Sequence, residues 1–246
     1  MKWWDGHAHL ALIPGATERL VAAMDREGVD CTVVVGGGLV APTTLGRLAR
    51  FRSELDVTFD NLALRRECDR FPERLLPFFF GNPHRAPDIY REHGRAFFGL
   101  KLAPVIHGLD FDDERVTAWI VVAAELGQPV YVHCLDRTGQ RVVDLVALAE
   151  RWPAVTMILG HAGVGTMDFA AVDEIAATPS LLFETSGGFS AVIRYASEQL
   201  GPERLVFGSE YPLQDIVVEK VKAERLGLSA DSLAAYAGGN LERVLS

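Results

Sequence analysis

The sequence predicts a single-domain (β/α)8 barrel, on three observations. Short apolar runs alternate with amphipathic stretches eight times, the chain is 246 residues long, and polar residues recur at the ends of the apolar runs. Strands that read as continuous apolar runs are buried on both faces, and parallel strands need helical crossovers between them. Eight such units in about 250 residues is the size of a closed barrel. An open doubly wound sheet shares this alternation. However, the polar ends of runs one, five, six and eight converge on one mouth only if the sheet closes.

The first run, Lys2 to Asp5, leads into Asp5-Gly6-His7-Ala8-His9. Helical spacing follows over Thr17 to Arg26, with Thr17-Glu18 suited to the start and Gly28 to the stop. Cys31 to Val35 is the second strand. Residues 36 to 58 then break the rhythm: about twenty residues is longer than a βα loop normally runs, and this stretch is expected to overhang the mouth as a lid. Helix Asn61 to Arg70, strand Leu75 to Phe80, helix Pro87 to His93 and strand Phe97 to Leu102 resume the pattern, followed by helix Asp113 to Leu126 with its stop at Gly127. The last four strands are Pro129 to His133, Val155 to Leu159, Leu181 to Glu184 and Leu205 to Phe207. Their helices are Thr138 to Arg151, Met167 to Ala176, Ser190 to Gln199 and Ile216 to Leu226. No internal repeat, low-complexity tract or linker divides the chain, so residues 1–246 read as one domain.

Composition narrows the partners. Apolar residues make up 49%, ample for a buried core. Asp and Glu outnumber Lys and Arg by 33 to 24, a formal charge of -9, and no basic run tracks a phosphate backbone. Nucleic acid and anionic membrane are therefore excluded as expected partners, and a small-molecule substrate is expected. Apolar stretches such as Trp119 to Ala124 fall far short of the roughly 18 residues that a membrane span needs. Asp5, His7 and His9 interrupt any apolar core of a signal peptide, so a cytoplasmic location is expected. Cys31, Cys68 and Cys134 are odd in number and scattered, which predicts reduced, buried thiols. A homo-oligomer is compatible with all of this.

His7 and His9, at i and i+2 on an extended segment, face the same way roughly 6.6 to 7 Å apart, a separation at which two imidazoles close on one divalent ion. Tyr131-Val132-His133, Leu159-Gly160-His161 and Phe207-Gly208-Ser209-Glu210 bring further imidazoles and a carboxylate to later strand ends. Zinc and similar ions take imidazole and carboxylate ligands, with an open position for chemistry. His7, His9 and His133 supply three nitrogens, Glu210 an oxygen at or just outside the ion, and His161 stands beside it.

These motifs, with Gly99-Leu100-Lys101-Leu102-Ala103-Pro104, Leu159-Gly160-His161-Ala162-Gly163, Glu184-Thr185-Ser186-Gly187, Phe207-Gly208-Ser209-Glu210-Tyr211-Pro212 and Gly239-Asn240-Leu241-Glu242-Arg243-Val244-Leu245, resemble the amidohydrolase-related family over nearly the whole chain. That family is the branch of the amidohydrolase superfamily with aromatic-acid decarboxylases and lactonases. The resemblance implies one divalent metal, zinc or manganese, on His7, His9 and His133. It makes His161 a catalytic or substrate-polarising group and residue 210 the acid/base. Family members usually carry Asp where this chain has Glu210, and the extra methylene moves the carboxylate by roughly 1.5 Å. Three consequences stay open: a compensating backbone shift, ligation of a differently placed ion, or loss of the chemistry.

Lys101 ends the fourth strand, where binuclear relatives carry a carboxylated lysine. A single ion is expected here, with Lys101 holding substrate or pairing with Asp5 or Glu184 beneath the mouth. His84, His107, Arg137 and Arg194 are expected in loops after strands, with His84 and Arg137 candidates for a substrate carboxylate. Cys134 should face away from the metal. Gly36-Gly37-Gly38-Leu39-Val40-Ala41 formally meets a dinucleotide fingerprint, but Pro42 falls inside the helix it requires. The expected activity is metal-assisted hydrolysis of a small carboxylate, amide or lactone. Non-oxidative decarboxylation of a small organic acid is the alternative, and a ligand-binding barrel without turnover is the third reading.

Overall fold

The computed structural model describes residues 1–37, 44, 47, 51, 54–165 and 167–246. Most of the expected lid, and the glycine-rich segment beyond Gly37, lie outside the described residues. Eight strands form one sheet in the order β1 to β8, every neighbouring pair parallel. They are β1 (Trp4–Leu10), β2 (Cys31–Gly36), β3 (Leu75–Gly81), β4 (Gly99–Leu102), β5 (Val130–Val132), β6 (Met157–Leu159), β7 (Leu181–Glu184) and β8 (Leu205–Val206). The last strand returns to the first. Gly6 donates to the Phe207 carbonyl at 2.7 Å, Glu210 to His7 at 2.9 Å and His9 to Tyr211 at 2.7 Å, and Ala8 bridges Tyr211 in parallel register. The barrel and its family of crossovers are therefore as the sequence predicts.

The helices are α1 (Ala16–Glu27), α2 (Asn61–Cys68), α3 (Asp88–His93), α4 (Pro104–His107), α5 (Glu114–Leu126), α6 (Val142–Arg151), α7 (Phe169–Ile175), α8 (Ser190–Leu200), α9 (Ile216–Glu224), α10 (Ala230–Ala234) and α11 (Asn240–Leu245), with a π-helical turn at Ala235–Gly239 before α11. Gly28 and Gly127 stop α1 and α5 in the left-handed conformation, φ 65° and 67°, which a side chain disfavours. Side-chain caps start others: Asp60 accepts from Ala63, Asp113 from Arg115, Asp168 from Ala171 and Asp215 from Val217. Among the described residues no helix is long and apolar enough to cross a membrane.

Two cores follow from strand alternation. Outward residues such as Val34, Phe79, Leu100, Val132, Leu159, Phe183 and Leu205 pack under the helices. Inward residues Val33, Phe78, Ile158, Leu182 and Val206 fill the barrel, and Leu241 of α11 joins them at the end where the strands begin. The barrel is thus plugged below by its own C-terminal helix, a role the sequence reading left unassigned. Cys31, Cys68 and Cys134 are free and buried, as expected.

Several boundaries differ from expectation. The first strand runs to Leu10, because after an interruption at Gly6-His7 the pairing with β2 resumes from Ala8 to Leu10. Gly15, not Thr17, flanks the start of α1, and Thr17 is buried within the helix with its hydroxyl on Glu67. Helix α6 starts four residues late, at Val142, because residues 135–140 form a turn in which Gln140 donates to the Arg137 carbonyl and Leu135 to the Gln140 carbonyl. Arg194 is exposed within α8 rather than in a loop, and His107 lies buried in α4.

Candidate active site

The C-terminal ends of the strands gather the polar residues. Along β1, Asp5 pairs with Thr32 but Ala8 with Val34, so β1 carries one extra residue between them. This bulge sits at Gly6-His7 and re-aims the chain beside β8. Gly6 is required there: a Cβ would lie 2.6 Å from Val206 Cγ1 and 3.0 Å from the Phe207 carbonyl. The fully buried Asp5 ties the two strands together, accepting from the backbone of His7 at 3.0 Å, the backbone of Ser209 at 2.8 Å and the Ser209 hydroxyl at 2.5 Å. Burial pushes its carboxyl up to about 7 against the pull of these donors.

Glu210 lies at the centre. Its Oε2 is 3.1 Å from His7 Nε2 and 3.3 Å from His161 Nδ1, and its Oε1 is 3.4 Å from His9 Nε2. The ligating atoms of His7, His161 and Glu210 lie within 4.8 Å of one another. His7 is sealed from solvent, and its ring stacks on Tyr131 with centroids 4.2 Å apart. Burial holds its imidazole well below the usual range, so the ring is neutral and its nitrogen lone pair is available to a cation. Despite the short approach to Glu210, neither His7 ring nitrogen nor Glu210 Oε2 makes a directed hydrogen bond. Buried polar atoms are ordinarily satisfied, so two orphaned atoms, His7 Nε2 and Glu210 Oε2, facing each other 3.1 Å apart fit a divalent cation.

Of the other expected residues, His133 and Lys101 lie beside this group, and His84 and Cys134 are engaged elsewhere. His133, at the end of β5, has its ring centroid 5.5 Å from that of His161, and its Nδ1 is 3.3 Å from Lys101 Nζ. Lys101, expected to pair with Asp5 or Glu184, turns instead to His133 and lies 4.0 Å over the Tyr131 ring. Burial lowers its ammonium to about 7. Arg137 lies in the turn after β5. His84 is held by protein at both ring nitrogens, with Nε2 2.9 Å from the His107 carbonyl and Nδ1 3.4 Å from Arg115. Cys134 is buried in the outer core, facing away as expected.

Sequence reasoning gave no site role to Tyr131 and Ser186, and took Glu184 only as a partner for Lys101. Glu184 is fully buried at the end of β7 and receives four donors: the Tyr131 hydroxyl at 2.6 Å, the His161 backbone at 2.9 Å, and the Ser186 backbone and hydroxyl at 2.6 and 2.9 Å. The signal was strand parity. Lys101 and Tyr131 occupy inward positions between outward apolar residues, and Glu184 one after the outward Phe183, where a barrel interior is normally filled by Val, Ile or Leu. Gly160 and Gly208, inward on the neighbouring strands, leave the room: a Cβ would collide with the Tyr131 hydroxyl at the first and with the Glu184 carboxylate at the second. His161, Ala162 and Glu210 adopt φ of 62°, 54° and 59°, a region that non-glycine residues seldom occupy and that clusters at functional sites.

A family model described as Amidohydrolase matches residues 4–246. No curated protein matches the chain in sequence. Among solved structures, the chain is similar to 5-carboxyvanillate decarboxylase LigW from Sphingomonas paucimobilis, with a TM-score of 0.73 and 18% identity over 99% of this chain and 98% of that one. It is similar to a dihydroxybenzoic acid decarboxylase from Polaromonas with bound manganese and the inhibitor 2-nitroresorcinol, at 0.72 and 16% over 99% and 96%. An amidohydrolase from Burkholderia multivorans with bound zinc gives 0.72 and 17% over 100% and 99%. At these identities the solved structures speak to the fold.

Proposed function

The chain belongs to the amidohydrolase family, and from that membership and the geometry at Glu210 we propose a metal-dependent hydrolase of a small carboxylate, amide or lactone. The observation that carries this reading is the convergence of His7 and Glu210 atoms without hydrogen-bond partners at the mouth of the barrel. One divalent ion, zinc, would be held by His7, His9 and His133 with an oxygen from Glu210, and His161 would be the proton-handling group beside it. Such an ion, when bound, polarises a substrate oxygen and acidifies water. Glu210 takes the proton of the attacking water and, with His161, returns it to the leaving group. Lys101 and Arg137 hold the substrate's acidic end. His84 drops out of that role, because protein groups already engage both its nitrogens.

The names of the similar structures favour a second reading, non-oxidative decarboxylation, in which Glu210 delivers a proton to the carbon that loses CO2. Both readings use the same side chains, and the choice between them rests on which substrate atom meets Glu210. Metal analysis of the purified protein is the first test: one ion per chain is expected, and none would end both readings. His133→Ala should lose the ion and His161→Ala keep it; the reverse would make the nearer His161 the ligand. A panel of small acids, amides and lactones then separates the reactions, through released CO2 on one side and a released amine or alcohol on the other.

A further inference from the structure

We propose that Glu184, acting through Ser186, fixes the tautomer of His161, so that Nδ1 carries the proton and Nε2 is the lone-pair nitrogen. This rests on the reading of His161 as the proton-handling group and adds two positioning residues to it. The argument is an account of hydrogens. Glu184 has four donors on two oxygens and no hydrogen of its own to give. The Ser186 hydroxyl hydrogen is committed to Glu184 Oε2 at 2.9 Å, so what Ser186 presents to His161 Nδ1, 3.1 Å away, is a lone pair. The next oxygen to Nδ1 is Glu210 Oε2 at 3.3 Å, and Glu184 Oε2 follows at 4.0 Å. Nδ1 thus faces the Ser186 lone pair at hydrogen-bond distance and two carboxylate oxygens beyond it, and a neutral imidazole meets them favourably only with its hydrogen on Nδ1.

The same carboxylate fixes where that ring stands. Glu184 Oε2 accepts from the His161 backbone, which holds the residue at its φ of 62°, and from the Tyr131 hydroxyl, whose ring stacks on His7. One buried group thus sets the backbone of His161, the hydrogen on its ring and the plane against which His7 rests. A neutral His161 in this tautomer accepts a proton at Nε2 and has no N–H there to offer a substrate carbonyl. Its part is therefore that of a base, with polarisation of the substrate left to other groups. Histidine in water favours the opposite tautomer, so the assignment is not the default.

The test is ring-nitrogen NMR of the full-length protein, labelled at histidine, with and without one equivalent of Zn(II), under conditions where His161 is neutral. The His161 signals are identified by their loss in His161→Gln. We expect the Nδ1–H pattern for His161 in the wild type. In Ser186→Ala and in Glu184→Gln the ratio of Nδ1–H to Nε2–H should fall about fivefold for the one net hydrogen bond removed, with His84 signals unmoved. Ser186→Ala deletes a single hydroxyl and keeps the test readable if Glu184→Gln does not fold. An Nε2–H pattern in the wild type, or an unshifted ratio in a folded variant, overturns the proposal. Because the tautomer is read with or without zinc, a protein that binds no metal would sink the proposed function and leave this result standing.

Discussion

Two groups of histidines lie on or after the strands of the barrel, and they differ in what their nitrogens face. In the first, His7, His9 and His161 surround the Glu210 carboxylate, and buried atoms there lack directed hydrogen bonds. In the second, His107 Nδ1 donates to the Leu55 carbonyl at 2.9 Å and the His84 ring meets the His107 carbonyl, with the two rings 5.5 Å apart. A histidine whose ring meets backbone holds a loop in place. One whose ring nitrogen approaches a shared carboxylate is arranged for a ligand or a reaction. Residue type is alike in both groups; the partners make the difference.

The sharpest way to break this contrast is Glu210→Gln. Turnover should fall at least about 100-fold, the low end for loss of an acid/base, with the thermal unfolding midpoint little changed; unchanged turnover would remove Glu210 from the chemistry. In the other group the ranking should invert. His107→Ala removes a fully buried ring and its bond to Leu55, and should cost about 1–3 kcal/mol in urea unfolding. A loss of turnover beyond what reduced stability explains would erase the distinction.

The pH dependence of stability sharpens it further. Burial lowers the pKa of His107 below its ordinary 6.5, so the unfolded chain binds a proton that the folded chain refuses. Its contribution is intact above pH 6.5 and is lost as pH falls below that value toward the folded pKa, with a slope of at most about 1.4 kcal/mol per unit. Unfolding of wild type and His107→Leu across this range should show the slope reduced in the variant; parallel curves would reject the assignment. The smallest effect is expected from His84→Ala, under about 1 kcal/mol, because its ring bonds lie nearer the surface.

Most of the barrel was legible because a parallel strand buried on both faces announces itself as an apolar run. The elements that escaped are those whose reason lies elsewhere in the fold. Helix α11 reads as an ordinary amphipathic tail until Leu241 is seen inside the barrel. The short helix α4 spans only Pro104–His107, too few residues to show a helical period. At the site, the histidines and Glu210 could be picked out from their positions at strand ends. Tyr131, Glu184 and Ser186 could not be assigned the same way, since their importance lies in contacts between strands β5, β6 and β7. The extra methylene at 210 likewise gains meaning only beside His161 and His7, whose nitrogens lie within 3.3 Å of its Oε2.

The closing contact of the barrel joins residues far apart along the polypeptide: Ser209 grips Asp5, 204 positions away, and the Glu210 amide bonds to His7. A ribosome must therefore translate some two hundred codons between the two halves of this constellation. No fragment released early can bring them together, and splitting the gene anywhere between them should yield pieces that recover the site only on reassociation. Reactivity in this molecule thus waits until both halves of the constellation have been made.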